Sequence, residues 1–324
     1  MKNVRRFLGI CTVSALVLAG FFPLLGMEEG GRYPSAREGQ RLWGVCYGPF
    51  RSGQDPSAGI FPTKEELRED IVFLRGLTGT LRLYSMDTGF HILEFCEEVG
   101  LECYPGAWLS GDREANEKEI QSLIEATKRG FQCIRGLVVG NEVLLRGDLS
   151  REELLDHIRH VREATNLPVS TAEPWSIWLL YPEVAEAVDF LLVHIHPYWD
   201  GVPVEEAARY VLERWQKVRE RYPMKEVIVG ETGWPTLGEV NGAAVPGERQ
   251  QEQFLAQFLE LSRCSGVAYF IFEAFDEEWK RKFEGEVGAH WGLYYSCGAL
   301  KPLLWELVPP EARSGLKREQ PERE

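Results

Sequence analysis

From Arg41 onward the chain alternates short apolar runs with amphipathic, charge-rich stretches. The apolar runs are LWGVCY near 42 to 47, TLRLY near 80 to 84, LECYPGAW near 101 to 108 and GLVVGN near 136 to 141. LPVSTA near 167 to 172, DFLLVHIH near 189 to 196, EVIVG near 226 to 230 and GVAYFIF near 266 to 272 complete the series. Continuous rather than alternating hydrophobicity over such lengths predicts parallel strands buried on both faces. The stretches between them carry helix signals. Thr63 with Glu66 and Ser150 with Glu153 have capping-box spacing, and Gly100 and Gly130 stand where C-caps belong.

Strands recur at intervals of roughly 30 residues, the length of one strand-helix unit, and eight such units close a barrel. The predicted fold is therefore α/β, a single-domain (β/α)8 TIM barrel over residues 41–308. A doubly wound open sheet is disfavoured, because the first strand runs into GPFRSGQDP rather than a glycine-rich phosphate turn.

The flanks read differently. Residues 1–26 place Lys2, Arg5 and Arg6 before an apolar run, an export signal or membrane anchor that implies an extracytoplasmic location. Residues 27–40 read as a linker. Residues 309–324 are almost devoid of apolar side chains and are expected to be disordered. A net charge of -14 repels phosphate backbones and excludes nucleic acid as a partner, and any membrane contact would be through the N-terminal segment. Six cysteines follow the leader without a C-x-x-C pair, so most are expected to be buried packing residues, with one or two bridges open. The sequence leaves the oligomeric state undetermined.

In a barrel of this kind the chemistry sits at the C-terminal ends of the strands. There the sequence supplies Tyr47, Tyr84, Asp87, Trp108, Asn141, Glu142, Glu173, Trp175, His194, His196, Tyr198, Trp199, Glu231, Trp234, Glu273, Phe275, Asp276 and Lys280. A single carboxylate at a strand end is more often a solvated rim residue than a catalyst. Glu142 and Glu231, however, end the fourth and seventh runs, which face one another across a closed eight-strand barrel. Paired carboxylates of this kind are what glycoside hydrolysis requires, one protonated toward the leaving oxygen and one ionised for attack. Seven of the ten tryptophans follow strand ends or lie in the last loops, where indole faces suit sugar rings, although each alone could simply pack a loop. His194 and His196 point the same way along a strand, an arrangement that could hold a metal. The favoured reading is that no metal is bound: one histidine hydrogen-bonds the rim carboxylates, and Tyr198 donates to the nucleophile.

GVCYGPF, RLYS, VGNEVL, TAEPW, HPYW, GETGWP and FEAFDEEWK together resemble glycoside hydrolase family 17 over roughly residues 42 to 305. The resemblance implies a retaining enzyme acting on β-1,3-glucan, oligosaccharide or polysaccharide, with no cofactor, as hydrolase or transglycosylase. It implies Glu142 as general acid/base, Glu231 as nucleophile, Asn141 on the sugar 2-hydroxyl, Tyr198 supporting the nucleophile and Trp234 beneath a sugar ring. Tyr84, Glu173, Glu273, Phe275 and Lys280 would line the subsites, with Tyr47 and Trp175 as further candidate substrate contacts from their strand-end positions. Gly233 would permit the tight turn after Glu231. Glu278 departs from the proline usual among bacterial relatives, which bears on the shape of its loop. A non-catalytic glucan-binding protein and a metal-dependent barrel enzyme stay open as alternatives.

Overall fold

The computed structural model describes residues 41–318. The predicted leader and linker lie outside the described residues. Nine parallel strands form one sheet: β1 Leu42–Cys46, β2 Thr78–Arg82, β3 Glu102–Tyr104, β4 Gly106–Ala107, β5 Leu137–Asn141, β6 Val169–Pro174, β7 Phe190–His194, β8 Glu226–Thr232 and β9 Tyr269–Ile271. Their order is β3-β2-β1-β9-β8-β7-β6-β5-β4. The two ends of that order, β3 and β4, are halves of the third predicted run, parted by Pro105. Proline has no N–H to donate, so the ladder breaks there. Both sides of the break stay bonded: Leu83 N–H donates to the Tyr104 carbonyl at 3.0 Å, and Val138 N–H to the Pro105 carbonyl at 3.0 Å. The sheet thus closes into a (β/α)8 barrel of eight staves, the third in two pieces.

The helices begin where their caps stand. Thr63 Oγ1 accepts from Glu66 N–H at 3.2 Å while the Glu66 carboxylate accepts from Thr63 N–H at 2.7 Å, and Ser150 with Glu153 repeats the box. Burial separates into two layers. Inside the barrel, Cys46, Val138, Ala172, Phe190, Leu192, Ile228 and Phe270 pack together, with Tyr104 edge-on to both Phe190 and Phe270. A larger cluster fills the space between the sheet and the surrounding helices. A packed interior leaves only the strand ends open for chemistry.

One expectation is corrected. The segment after Pro309 is not disordered as far as Arg318: the Tyr294 hydroxyl donates to the Ala312 carbonyl at 2.9 Å, and the buried Arg318 guanidinium pairs with Asp70 at 2.7 Å. Composition hid this because the anchor is one long-range ion pair, not an apolar run. Most of the six cysteines are buried as expected: Cys46, Cys96, Cys103 and Cys133 are buried free thiols, and no cysteine is bridged among the described residues.

Candidate active site

Glu142 sits immediately after β5 with φ 52° and ψ 32°, the only left-handed non-glycine residue among those described. Such a conformation costs free energy and persists only where surrounding structure enforces it, which is common at functional sites. Here β5 bulges against β6 between Val138 and Asn141, and Gly140 at φ 84° supplies the bend; a Cβ there would meet Val143 Cγ2 at 2.6 Å. The Glu142 N–H is held by the Ala172 carbonyl at 2.7 Å. Its side chain, 24% exposed, is thereby aimed into the barrel mouth.

Glu231 ends β8 beside a second irregularity, where the β7–β8 register shifts between Val193 and His194. Its carboxylate is almost buried and fully solvated by protein. Oε1 accepts from Arg82 Nη1 at 2.8 Å and from the Tyr84 hydroxyl at 2.9 Å, and Oε2 from His196 Nε2 at 2.9 Å. Burial alone would raise its pKa, but the electrostatic influence of the His194 ring and the Arg82 cation and the bond from His196 prevail, holding the carboxyl well below the usual range. Burial also lowers the pKa of His194 itself, so Arg82 is the permanent cation.

Arg82 fixes the proton on His194. A guanidinium can only donate, so at 2.8 Å from Arg82 Nη1 the His194 Nε2 must be the acceptor. The ring proton then lies on Nδ1 and donates to Glu142 Oε1 at 2.7 Å. A proton carried by Glu142 is therefore directed to Oε2. Arg82 Nη2 also donates to Asn141 Oδ1, leaving the Asn141 amide nitrogen for a ligand.

One oxygen of Glu142, one of Glu231 and a nitrogen of His194 all lie within 4.8 Å of one another. Carboxyl groups about 5–5.5 Å apart allow direct attack on a sugar carbon, whereas inverting pairs stand about 6.5–9.5 Å apart to admit water. The same three residues have metal-ligating chemistry, but both His194 nitrogens are engaged and the Arg82 guanidinium occupies the charge position a cation would take. The donor set does not fit a metal.

The strand ends divide the other predicted residues. Glu173, buried beneath Glu142, accepts from Leu144 N–H at 2.8 Å; burial pushes its pKa up to about 8. Glu273 and Lys280 form a buried ion pair beside Phe272, so they back the cleft wall instead of facing solvent. Trp175 is half-buried against Arg214. Four expectations fail. Tyr198 donates to the Glu239 carbonyl at 2.6 Å, not to Glu231, whose hydroxyl donor is Tyr84. Trp234 is wholly buried against Phe254, with its N–H on the Val245 carbonyl, and offers no face to a sugar. Tyr47 is buried with its hydroxyl on Asp70, and Phe275 is buried between Tyr47 and Tyr294. Tyr47 follows the inward-facing Cys46, so alternation turns it outward, whereas Tyr198, Trp234 and Phe275 lie past the ends of β7, β8 and β9, where loop conformation and not strand register sets direction.

Gly233 is also reassigned. Its φ is not positive; what forbids a side chain is close approach, since a Cβ would stand 2.1 Å from the Phe272 carbonyl oxygen. Arg82 was not among the residues expected at the site. Its signal was a lone charge inside the apolar run TLRLY, which burial would exclude unless it were paired. Of the rim tryptophans, Trp178, Trp234 and Trp291 are buried, and Trp108 and Trp199 are 40% and 46% exposed.

Residues 44–292 match the family model described as the BtgE/BtgC glycoside hydrolase domain. The glucan endo-1,3-beta-glucosidase btgC of Emericella nidulans is 29% identical over 293 residues, 80% of this chain and 45% of that protein. This chain thus spans less than half the length of that relative. A glucan 1,3-beta-glucosidase of Saccharomyces cerevisiae is 26% identical over 279 residues, covering 78% of this chain and 88% of that one. Among solved structures, the glycoside hydrolase family 17 beta-1,3-glucanosyltransferase of Rhizomucor miehei superposes with a TM-score of 0.72 at 26% identity, covering 81% of this chain and 96% of that one.

Proposed function

The chain belongs to the BtgE/BtgC glycoside hydrolases, within glycoside hydrolase family 17, and from that premise we propose that it acts on β-1,3-glucan by double displacement with retention of configuration. The observation that carries this reading is the convergence of Glu142 and Glu231 to within 4.8 Å, one buried on a permanent cation and the other partly open.

In the first step Glu231 attacks the anomeric carbon and forms an ester bond as the glycosidic C–O bond breaks, and Glu142 Oε2 passes its proton to the leaving oxygen. In the second, the Glu142 carboxylate takes a proton from the incoming hydroxyl, whose oxygen bonds to the anomeric carbon and releases Glu231. Arg82, Tyr84 and His196 keep Glu231 ionised and oriented, and Asn141 presents its amide to the sugar 2-hydroxyl.

The incoming hydroxyl belongs to water or to a second glucan. Trp108, exposed after β4, lies on the flank where Glu142 ends β5. An apolar face on that side holds an acceptor sugar against competition from water, which favours glucanosyl transfer. The Rhizomucor relative is named as a glucanosyltransferase, and an active-site mutant of it was solved with laminaritriose.

Incubating the protein with short β-1,3-gluco-oligosaccharides and sizing the products tests the reading. Products longer than the input establish transfer, shorter ones alone establish hydrolysis, and no turnover removes the proposal. A 2-fluoro glycoside should label Glu231. We further propose an extracytoplasmic location from the basic-then-apolar leader, which fractionation of the source cell would check.

A further inference from the structure

On the far flank of the mouth from Glu142, the loops after β1 and β9 bring four aromatic rings into one series. The ring centroids of Phe61 and Phe50 are 5.9 Å apart, those of Phe50 and Trp279 5.7 Å, and those of Trp279 and Phe283 6.0 Å. Phe61 is 40% exposed and Phe283 64%, unusual for rings of this size on an acidic surface. The series leads to the reacting centre. Lys280 Nζ lies 6.0 Å from the Trp279 centroid and 4.5 Å from that of Phe272, Phe272 stands 5.4 Å from His196, and His196 is bonded to Glu231.

The rings are held in place, not left on loose loops. Glu278 accepts from Ser52 Oγ at 2.9 Å and from Ser296 Oγ at 3.2 Å, tying the two loops together, and Lys282 pairs with Asp55 across the same junction. The Trp279 N–H is spent on Glu277 at 3.1 Å, so its ring faces are what remains for a ligand. Glu278 thus clamps the loop that bears Trp279.

We propose that Phe61, Phe50, Trp279 and Phe283 form a binding track for the glycone side of a β-1,3-glucan, the part that stays on Glu231 when the leaving group departs. This rests on the function proposed above. The side follows from the sheet order. The leaving oxygen must meet the proton of Glu142 at the end of β5, so leaving-group sugars lie on that flank. The retained sugars run the other way, over β8, β9 and β1, with β7 and β6 between the two flanks. Neutral aromatic faces suit the C–H faces of an uncharged sugar chain. Neighbouring rings are turned by 52° to 70°, a curved wall that matches a 1,3-linked chain turning from unit to unit.

The test compares wild type with Phe283→Ala and Phe61→Ala on β-1,3-gluco-oligosaccharides of increasing length, labelled at the reducing end. In the wild type kcat/KM should rise with chain length, and each alanine variant should flatten that rise by roughly three- to tenfold. Cleavage should also shift toward the non-reducing end, giving longer labelled fragments, because fewer units are held on the glycone side. Phe283→Trp should restore the wild-type pattern, which a merely structural defect would not allow. An unchanged length profile, or a shift toward shorter labelled fragments, overturns the track while leaving the enzyme reading intact. Absence of wild-type turnover on any of these substrates overturns both.

Discussion

Arg82 Nη1 lies 2.8 Å from Glu231 Oε1, joining two strand ends separated by 149 residues of chain. The same guanidinium sets the tautomer of His194 and holds the side-chain oxygen of Asn141. A single buried cation therefore organises Glu231, the histidine bonded to Glu142, and Asn141.

Replacing Arg82 by Met should leave burial to dominate at Glu231. The carboxyl pKa then rises, and the acid limb of the kcat/KM profile moves to higher pH. Removing one partner of a buried ion pair should also destabilise the protein by about 3–5 kcal/mol. Arg82→Lys keeps the charge but not the fork and should recover part of the stability with less of the activity. A pH profile whose acid limb does not move would remove the assigned role.

Tyr84→Phe deletes a donor to the nucleophile and should lower kcat by about a hundredfold. Tyr198→Phe loses only a bond to the Glu239 carbonyl and should change kcat little. Steady-state kinetics of the pair separates the two tyrosines, and the reverse order would restore the role first expected for Tyr198.

Glu142→Ala should reduce turnover of glucan by about 10²–10⁴-fold, the usual contribution of a positioned proton donor. An aryl glycoside whose leaving group needs no proton should still release its aryl alcohol in a rapid burst. Added azide should then restore turnover by reaching the vacated acceptor position. A variant equally impaired on both substrates would count against the acid/base assignment.

Glu173 gives a stability prediction. Its folded pKa of about 8 lies above the value for an exposed carboxyl, so the folded state binds that proton more tightly than the unfolded chain does. The resulting stability is fully present below the unfolded pKa and is lost as pH rises through about 8. Glu173→Gln keeps an acceptor for the Leu144 N–H without the charge. The melting temperature of wild type should fall relative to this variant between pH 5 and pH 8, by an amount worth a few kcal/mol, about one per unit of pH crossed. Parallel melting curves would contradict the buried, protonated state.

Trp234→Phe should cost about 2–4 kcal/mol of stability, from lost volume and the abandoned Val245 carbonyl. Substrate KM should hold, since the indole faces Phe254 and not the cleft. Chemical denaturation and steady-state kinetics check the two halves.

What the sequence determined by itself was whatever local pattern dictates. Eight apolar runs at regular spacing require eight buried staves, the Thr63 and Ser150 boxes start their helices, and Glu142 and Glu231 fall at strand ends because the runs stop there. Those properties depend on a few adjacent residues and on periodicities of 2 and 3.6. Tertiary structure decided which neighbouring side chain faces the mouth. Closure of the barrel brings the Tyr84 hydroxyl onto Glu231, while Tyr198 and Trp234, past the ends of β7 and β8, turn to the Glu239 and Val245 carbonyls. It also decided the partners of buried charges. Arg82 with Glu231 and Arg318 with Asp70 are pairs made across 149 and 248 residues, and no local pattern encodes a contact that exists only once the barrel has closed.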